Sequence, residues 1–321
     1  MIKDMDPTIK FLQENIQPYT DWYMDPAPLT LSHYRLKPGV AAMSRASSSS
    51  PTNPTALMTG LRSSDAMVWA NLDALYSLSP AAIDPVSTSY RNYHESIVSI
   101  ISIEAPGAAE YFLWRNPRWE CFLVGGGGVG GDTISQWTYL EDVTRLQVLT
   151  SHQQPDETVL REVINQINIT VPLAVAGIPH PTEAQVAWEL LIGVFLMVPD
   201  GDLVIRFAAD QSELIPIFGM ASALFKRATI VAPIVRSAET DRYFVGSGFR
   251  ANLDIQGIAN ILIPVLSRQQ SFVQSVNPQW YAYWQRRLGE PVTLPPGYWY
   301  IQQLYGWWAM LSPRWRSIVP V

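Results

Sequence analysis

A short apolar run that stops at a cluster of glycines is the feature that most restricts how this chain can fold. Trp119–Val124 has the length and composition of a buried strand, and residues 125–131 follow it as GGGGVGG. Gly126, Gly128 and Gly131 satisfy the spacing GxGxxG, in which glycine lets the backbone turn tightly and approach a ligand closely. A strand, a glycine turn and a helix open a nucleotide-binding βαβ unit.

Downstream of the glycines, apolar runs of strand length alternate with helical patterns. The predicted strands are Arg145–Leu149, Val171–Ala176, Asp202–Phe207, Ala228–Ala232 and Tyr243–Gly248, and the predicted helices are Thr158–Gln166, Glu183–Met197 and Ser212–Phe225. This alternation predicts an α/β fold, a mostly parallel sheet with helices on both faces. Pro233–Arg242 leaves no room for a helix, so the last two strands should form an antiparallel hairpin at one edge.

The segments on either side of this region have other patterns. Apolar spacing predicts a helix over Asp65–Leu78 and a second over Tyr90–Ile103, while Ser44–Thr55 has the composition of a linker. We therefore divide the chain into a linker or N-terminal extension (1–80), a Rossmann-like domain (81–250) and a helical, Trp/Arg-rich C-terminal domain (251–321).

Composition narrows the class of protein. Hydrophobic residues make up 48% and charged residues 16%, which supports a sizeable core. A net charge of −6 argues against binding nucleic acid by bulk charge alone. A single cysteine, Cys121, suggests a reducing compartment, and with only four histidines a metal site is not expected. No apolar run is long enough to span a bilayer, so no membrane partner is expected.

The amino-acid composition of the C-terminal end differs from that of the whole chain. From residue 280 onward the chain holds six of its twelve tryptophans, together with Arg286, Arg287, Arg314 and Arg316. Aromatic and arginine side chains could stack on and clamp an RNA strand. A hydrophobic cap, or a docking face for a partner, explains the same composition equally well.

Four stretches resemble one family. They are VSTSYRN (86–92), FLVGGGGVGGDT (122–133), GDLVIRF (201–207) and LFKRATIVAPIVRSAETDRYFVGSGF (224–249). Together they resemble the methyltransferase domain of the large polymerase protein of nonsegmented negative-strand RNA viruses, over roughly residues 85–250. A parallel sheet ended by an antiparallel hairpin is also the layout of methyltransferases rather than of ordinary dehydrogenases.

The resemblance implies an FtsJ-like fold that binds S-adenosylmethionine and methylates the mRNA cap at guanine N7 and at ribose 2′-O. The implied cofactor-binding residues are Gly125, Gly126, Gly127, Gly128, Gly130, Gly131 and Asp132. The family's Lys-Asp-Lys-Glu tetrad falls by position on Arg91, Gly177, Arg206 and Asp241, with Glu239 as an alternative for the last acid. This chain therefore keeps none of the four residue types.

The altered tetrad limits the chemistry. Ribose 2′-O methylation calls for a general base, and arginine cannot be deprotonated in a protein. His180 is the nearby side chain that could titrate instead, although a surface histidine is the commoner explanation. Guanine N7 already carries a lone pair, so alignment of the reactants can supply most of the rate. In an alternative in which the protein is inactive, Arg206 and Asp241 form only a salt bridge across neighbouring strands.

Three functions remain open at this stage. The first is a viral cap methyltransferase that acts on capped RNA, with other polymerase domains or the phosphoprotein as partners, in the host cytoplasm or the virion. The second is a degenerate methyltransferase fold that binds RNA or acts as a scaffold. The third is an NAD-binding oxidoreductase. A ribose-binding acid is expected by both cofactors, and Leu149–His152, where it should lie, contains none.

Overall fold

Seven strands form one mixed sheet in a computed structural model of the chain. The residues that the structure describes are 7–15, 64–76, 78, 98–115, 119–125, 143–149, 156–231, 241–268 and 272. The predicted linker Ser44–Thr55 and the Trp/Arg-rich tail lie outside them.

The elements are as follows. The strands are β1 Val98–Ile103, β2 Trp119–Val124, β3 Leu146–Leu149, β4 Val171–Ala176, β5 Met197–Ala208, β6 Phe225–Val231 and β7 Asp241–Phe249. The helices are α1 Pro7–Asn15, α2 Ser64–Tyr76, α3 Pro106–Arg115, α4 Glu157–Ile167, α5 Glu183–Leu196, α6 Ile215–Ala223 and α7 Ile255–Leu266, with single 3-10 turns at Val143–Arg145 and Ser212–Leu214.

The strand order confirms the predicted fold class. Across the sheet the order is β3-β2-β1-β4-β5-β7-β6. The first five of these strands run parallel, whereas β7 is antiparallel to both β5 and β6. The predicted hairpin therefore exists, and its second strand is inserted beside β5 so that β6 forms the edge.

The predicted helix over Tyr90–Ile103 is wrong in its described part. Val98–Ile103 is a strand, β1, and it lies between β2 and β4 in the middle of the sheet. The sequence VSIISI is rich in β-branched side chains, which pack well on a pleated surface and lose rotamer freedom in a helix. As a result, the glycine segment follows the second strand of the unit rather than the first.

The other predicted elements within the described residues are confirmed, with shifted ends. β5 begins earlier than predicted, at Met197, and β6 begins at Phe225. The predicted helix Ser212–Phe225 is divided into a 3-10 turn and α6, and it ends at Ala223 because Phe225 already pairs with Phe249 of β7.

Helices cover both faces of the sheet. One core packs α1, α4, α5, α6 and α7 against one face. A second core packs α2 and α3 against the other. Among the described residues, no helix combines the length and apolar character needed to cross a bilayer.

Two helices from the predicted N-terminal extension belong to these cores. Leu12 of α1 is buried against α6, and the Thr8 hydroxyl donates a hydrogen bond of 2.8 Å to Oδ2 of Asp254. Trp69 of α2 packs edge-to-face on Tyr243 of β7, with ring centroids 5.6 Å apart. The division at residues 80 and 250 itself stays a prediction.

The hairpin leaves no space for a side chain at Gly246. An ideal Cβ there would lie 2.5 Å from the buried Phe225 ring, whereas one at Gly193 of α5 would lie 3.4 Å from Leu203. We expect Gly246→Ala to lower the free energy of unfolding by about 1–3 kcal/mol through overpacking. Gly193→Ala, the matched control, should raise it by up to about 1 kcal/mol because alanine favours helix. Urea unfolding measures both, and equal effects would contradict the packing of the hairpin.

Asp202, at the start of the paired part of β5, should make stability depend on pH. Burial raises the pKa of its carboxyl to about 6, although hydrogen bonds from Ser247 and from the Gly248 amide oppose the shift. The stability that the Asp202 carboxyl contributes is therefore full below its ordinary pKa of about 4 and is lost as the pH rises through the raised pKa. We expect wild type to gain stability over Asp202→Asn when the pH falls from 7 to 4.5. A difference that does not change with pH would contradict this placement.

Candidate functional site at the carboxyl edge of the sheet

The chain changes direction at the middle of the sheet. From β1 it continues to β2 on one side, while β4 lies on the other, and such a switch point leaves a crevice at the carboxyl ends of the strands. Backbone bonds of 2.9 Å from Glu104 N to Val124 O and from Gly177 N to Ile103 O hold the three strand ends level. The residues just after these ends therefore lie side by side at the switch point, where folds of this kind form their crevice.

Glu104 brings a carboxylate to this crevice. It follows β1 with φ +48°, a backbone conformation that is rare for residues other than glycine and that is concentrated at functional sites. Its carboxylate lies over Gly125 at the end of β2, so closely that a Cβ at residue 125 would collide with Oε1 of Glu104. Gly125 itself has φ +83°. Glycine is therefore required there both by conformation and by the approach of the carboxylate.

Gly177, Arg206 and Asp241 meet at the same edge. Nη2 of Arg206 donates to Oδ1 and Oδ2 of Asp241 at 3.1 and 3.0 Å, and Nη1 donates to the Gly177 carbonyl at 3.5 Å. The side chains of the ion pair are only 10% and 8% exposed. β5 ends at this edge and the antiparallel β7 begins there, which explains why residues so far apart in sequence are neighbours.

The structure thus brings together three of the positions that the resemblance assigned to the tetrad. At Gly177 an ideal Cβ would lie 2.7 Å from that of Ala105, so the aspartate of the family would not fit without movement of the backbone. His180 is exposed on the loop after β4. Arg91 and Glu239 lie outside the described residues, and the catalytic role of all these positions stays a prediction.

Most other predicted site residues lie outside the described part of the chain. These are Gly126, Gly127, Gly128, Gly130, Gly131, Asp132, Arg286, Arg287, Arg314 and Arg316. Gly125 is described and lies directly after β2, against Glu104, and its role in cofactor binding stays a prediction. Within the described residues, no group of three or more histidine, cysteine or acidic side chains could hold a metal.

Two acidic residues of this region were missed by the sequence analysis. Glu104 was hidden because the strand before it was interpreted as a helix. Glu189 lies within the apolar helix α5, where it is fully buried, and neither carboxylate oxygen has a hydrogen-bond partner among the described residues. A lone glutamate four residues before Gly193, on an otherwise apolar stripe, is the signal that could have revealed it.

Comparison with protein-family models and with curated proteins found no match. Among solved structures, human methyltransferase-like protein 13 in complex with SAH is similar at 12% identity and a TM-score of 0.41, over 73% of this chain and 96% of that one. A fibrillarin/Nop5p complex gives 12% and 0.36 over 47% and 73%. An rRNA methylase from Streptococcus thermophilus gives 7% and 0.35 over 52% and 100%. Because these values are low, the fold assignment rests on strand order and direction.

Removing one partner of the buried ion pair should strongly destabilise the fold. We expect Asp241→Asn to lower the free energy of unfolding by about 3–5 kcal/mol, because it leaves the Arg206 charge buried and uncompensated. The double variant Arg206→Met/Asp241→Leu should be less destabilised than Asp241→Asn. Chemical denaturation measures each variant.

The exposed ion pair Arg161–Glu157 on α4 provides the control, since its side chains are 73% and 39% exposed. Arg161→Met should change stability by less than about 0.5 kcal/mol. Equal effects of Arg161→Met and Asp241→Asn would contradict the buried geometry.

Proposed function

We propose that this chain is an S-adenosylmethionine-dependent methyltransferase whose cofactor site is the crevice beside Glu104. The observation that carries the proposal is the switch point at β1, with an acid directly after the central strand and glycine at the ends of both neighbours. In folds of this kind, ligands bind at that place. The SAH complex of the human protein, which has the same kind of fold, supports the choice of cofactor.

The charge of the crevice fits this cofactor better than a dinucleotide. S-adenosylmethionine has one carboxylate but a net positive charge, and its ammonium, its sulfonium and its ribose hydroxyls all interact favourably with a carboxylate of the protein. A dinucleotide would bring a pyrophosphate to the glycine turn, and Glu104 over Gly125 would repel it. When bound, the cofactor supplies a methyl group on a positively charged sulfur. The antiparallel hairpin also argues against the oxidoreductase alternative.

For the substrate we propose capped RNA, on the basis of the resemblance to the viral polymerase domain. Arg206 and Asp241 lie at the edge where the proposed cofactor would be held, and Arg206 can orient a ribose or a phosphate but cannot remove a proton. Guanine N7 needs no deprotonation, so N7 transfer is the reaction that the described residues favour. The Trp/Arg-rich tail and the other polymerase domains, or the phosphoprotein, are the proposed partners.

One observation favours a second candidate, a degenerate fold that binds RNA or acts as a scaffold. Nη2 of Arg206 donates to both carboxylate oxygens of Asp241 in a buried pair, so the two charges largely neutralise each other. In this alternative the pair is purely structural. Cofactor binding distinguishes the two candidates.

The first test is isothermal titration with S-adenosylmethionine, S-adenosylhomocysteine and NAD. We expect micromolar binding of the first two and none of NAD. Glu104→Gln should weaken S-adenosylmethionine binding by about tenfold or more, through loss of a charge-assisted interaction. Glu162→Gln on the exposed face of α4 is the matched control and should bind normally. If the wild-type protein bound neither S-adenosylmethionine nor S-adenosylhomocysteine, the methyltransferase assignment would be contradicted.

Binding should be followed by methyl-transfer assays on capped RNA, with N7 tested before 2′-O. Arg206→Ala is a poor probe of function because it leaves Asp241 buried without its partner and therefore destabilises the fold. Arg206→Lys keeps a positive charge beside Asp241 and is the better choice. Cofactor binding without transfer to any capped RNA would favour the scaffold alternative.

A further inference from the structure

Glu189 is the one fully buried side chain of the described residues in which both carboxylate oxygens lack a hydrogen-bond partner. Buried polar groups are almost always paired, so an exception calls for an explanation. Glu189 lies one turn before Gly193, whose position on α5 faces Leu203 of β5. It therefore belongs to the sheet-facing side of α5, the helix that begins just beyond the end of β4.

The electrostatic surroundings connect Glu189 to the crevice. Burial, and after it the Glu104 carboxylate, raises the pKa of the Glu189 carboxyl well above its usual range. A fully buried carboxyl whose two oxygens lack hydrogen-bond partners favours its uncharged, protonated form. Glu104 is partly exposed, whereas Glu189 is fully buried on the sheet-facing side of α5.

Within the part of the chain that the structure describes, the elements packed against α5 offer no competing charged partner. β4, α6 and α7 contain no charged residue. The charged residues of α4 are on its outer side, where Arg161 pairs with Glu157 and Glu162 is exposed. On β5, Asp200 pairs with Lys226, Asp202 lies near the opposite end and Arg206 is held by Asp241.

We propose that Glu104 and Glu189 form an acidic site for an organic cation, in which Glu104 contacts the cation and Glu189 ionises when the cation binds. The inference rests on the proposed function, because the ammonium and the sulfonium of S-adenosylmethionine are the cations in question. The exchange balances: the ammonium, the sulfonium and the carboxylate of S-adenosylmethionine bring one net positive charge into the crevice, and one proton leaves the Glu189 carboxyl for the solvent. Glu189 is thus a positioning residue that matches the charge of the site to that of its ligand.

The test is isothermal titration at pH 7 in buffers of different ionisation enthalpy, such as phosphate and Tris. The slope of the observed enthalpy against that ionisation enthalpy counts the protons released. For wild type we expect about one proton per S-adenosylmethionine bound and an affinity that rises with pH by up to about tenfold per unit. Neutral 5′-methylthioadenosine should release none, and S-adenosylhomocysteine, which keeps only the ammonium, separates the two cationic groups.

Glu189→Gln is the decisive variant because an amide replaces the protonated carboxyl in size and in charge but cannot ionise. It should fold normally, release no proton, and bind S-adenosylmethionine about tenfold more weakly with no dependence on pH. Its affinity for 5′-methylthioadenosine should stay within about twofold of wild type. Glu162→Gln is the surface control and should behave as wild type.

The outcomes of these experiments distinguish the coupled acidic site from the methyltransferase proposal on which it rests. S-adenosylmethionine binding by wild type with no proton release, or with equal release by Glu189→Gln, would overturn the coupled acidic site and leave the methyltransferase proposal standing. Absence of binding of any adenosyl ligand would overturn both. Release with S-adenosylmethionine but not with S-adenosylhomocysteine would assign the site to the sulfonium, and equal release with both would assign it to the ammonium.

Discussion

The parallel pairing of β1 on both of its edges is the constraint on which the rest of this molecule depends. β1 hydrogen-bonds to β2 on one side and to β4 on the other, and its side chains contribute to the cores on both faces. Because a central strand has no free edge, its end is fixed by two neighbours. Glu104 therefore projects from a rigid base, and the crevice inherits its position from the sheet rather than from a loop.

The ion pair between Arg206 and Asp241 has a double character. It joins β5, the last of the parallel strands, to β7 of the antiparallel hairpin, at the place in the sheet where strand direction reverses. Burying two charges is expensive, and such a pair is seldom retained for stability alone. At the carboxyl edge of the sheet the pair also contacts the end of β4, because Arg206 donates a hydrogen bond to the Gly177 carbonyl.

Much of the fold could be predicted from the sequence, because most strands are short apolar runs bounded by turns. β2, β4 and the hairpin β6–β7 follow from that pattern together with the chain length between them. β1 could not be distinguished by spacing alone, since its apolar residues also fit a helical stripe; β-branched content was the better guide. Glu104 was missed for the same reason, because it follows β1. A lone glutamate on an apolar stripe marks Glu189 as unusual, but its place beside the sheet depends on tertiary packing.

Among the described residues, the contact between Thr8 and Asp254 joins positions 246 residues apart. During synthesis α6 and Asp254, the partners of α1, emerge only after most of the sheet has been made. The described contacts of α1 with these partners cannot form before then, and closing so long a loop costs entropy. Docking of α1 on these partners is thus a late step of biosynthesis.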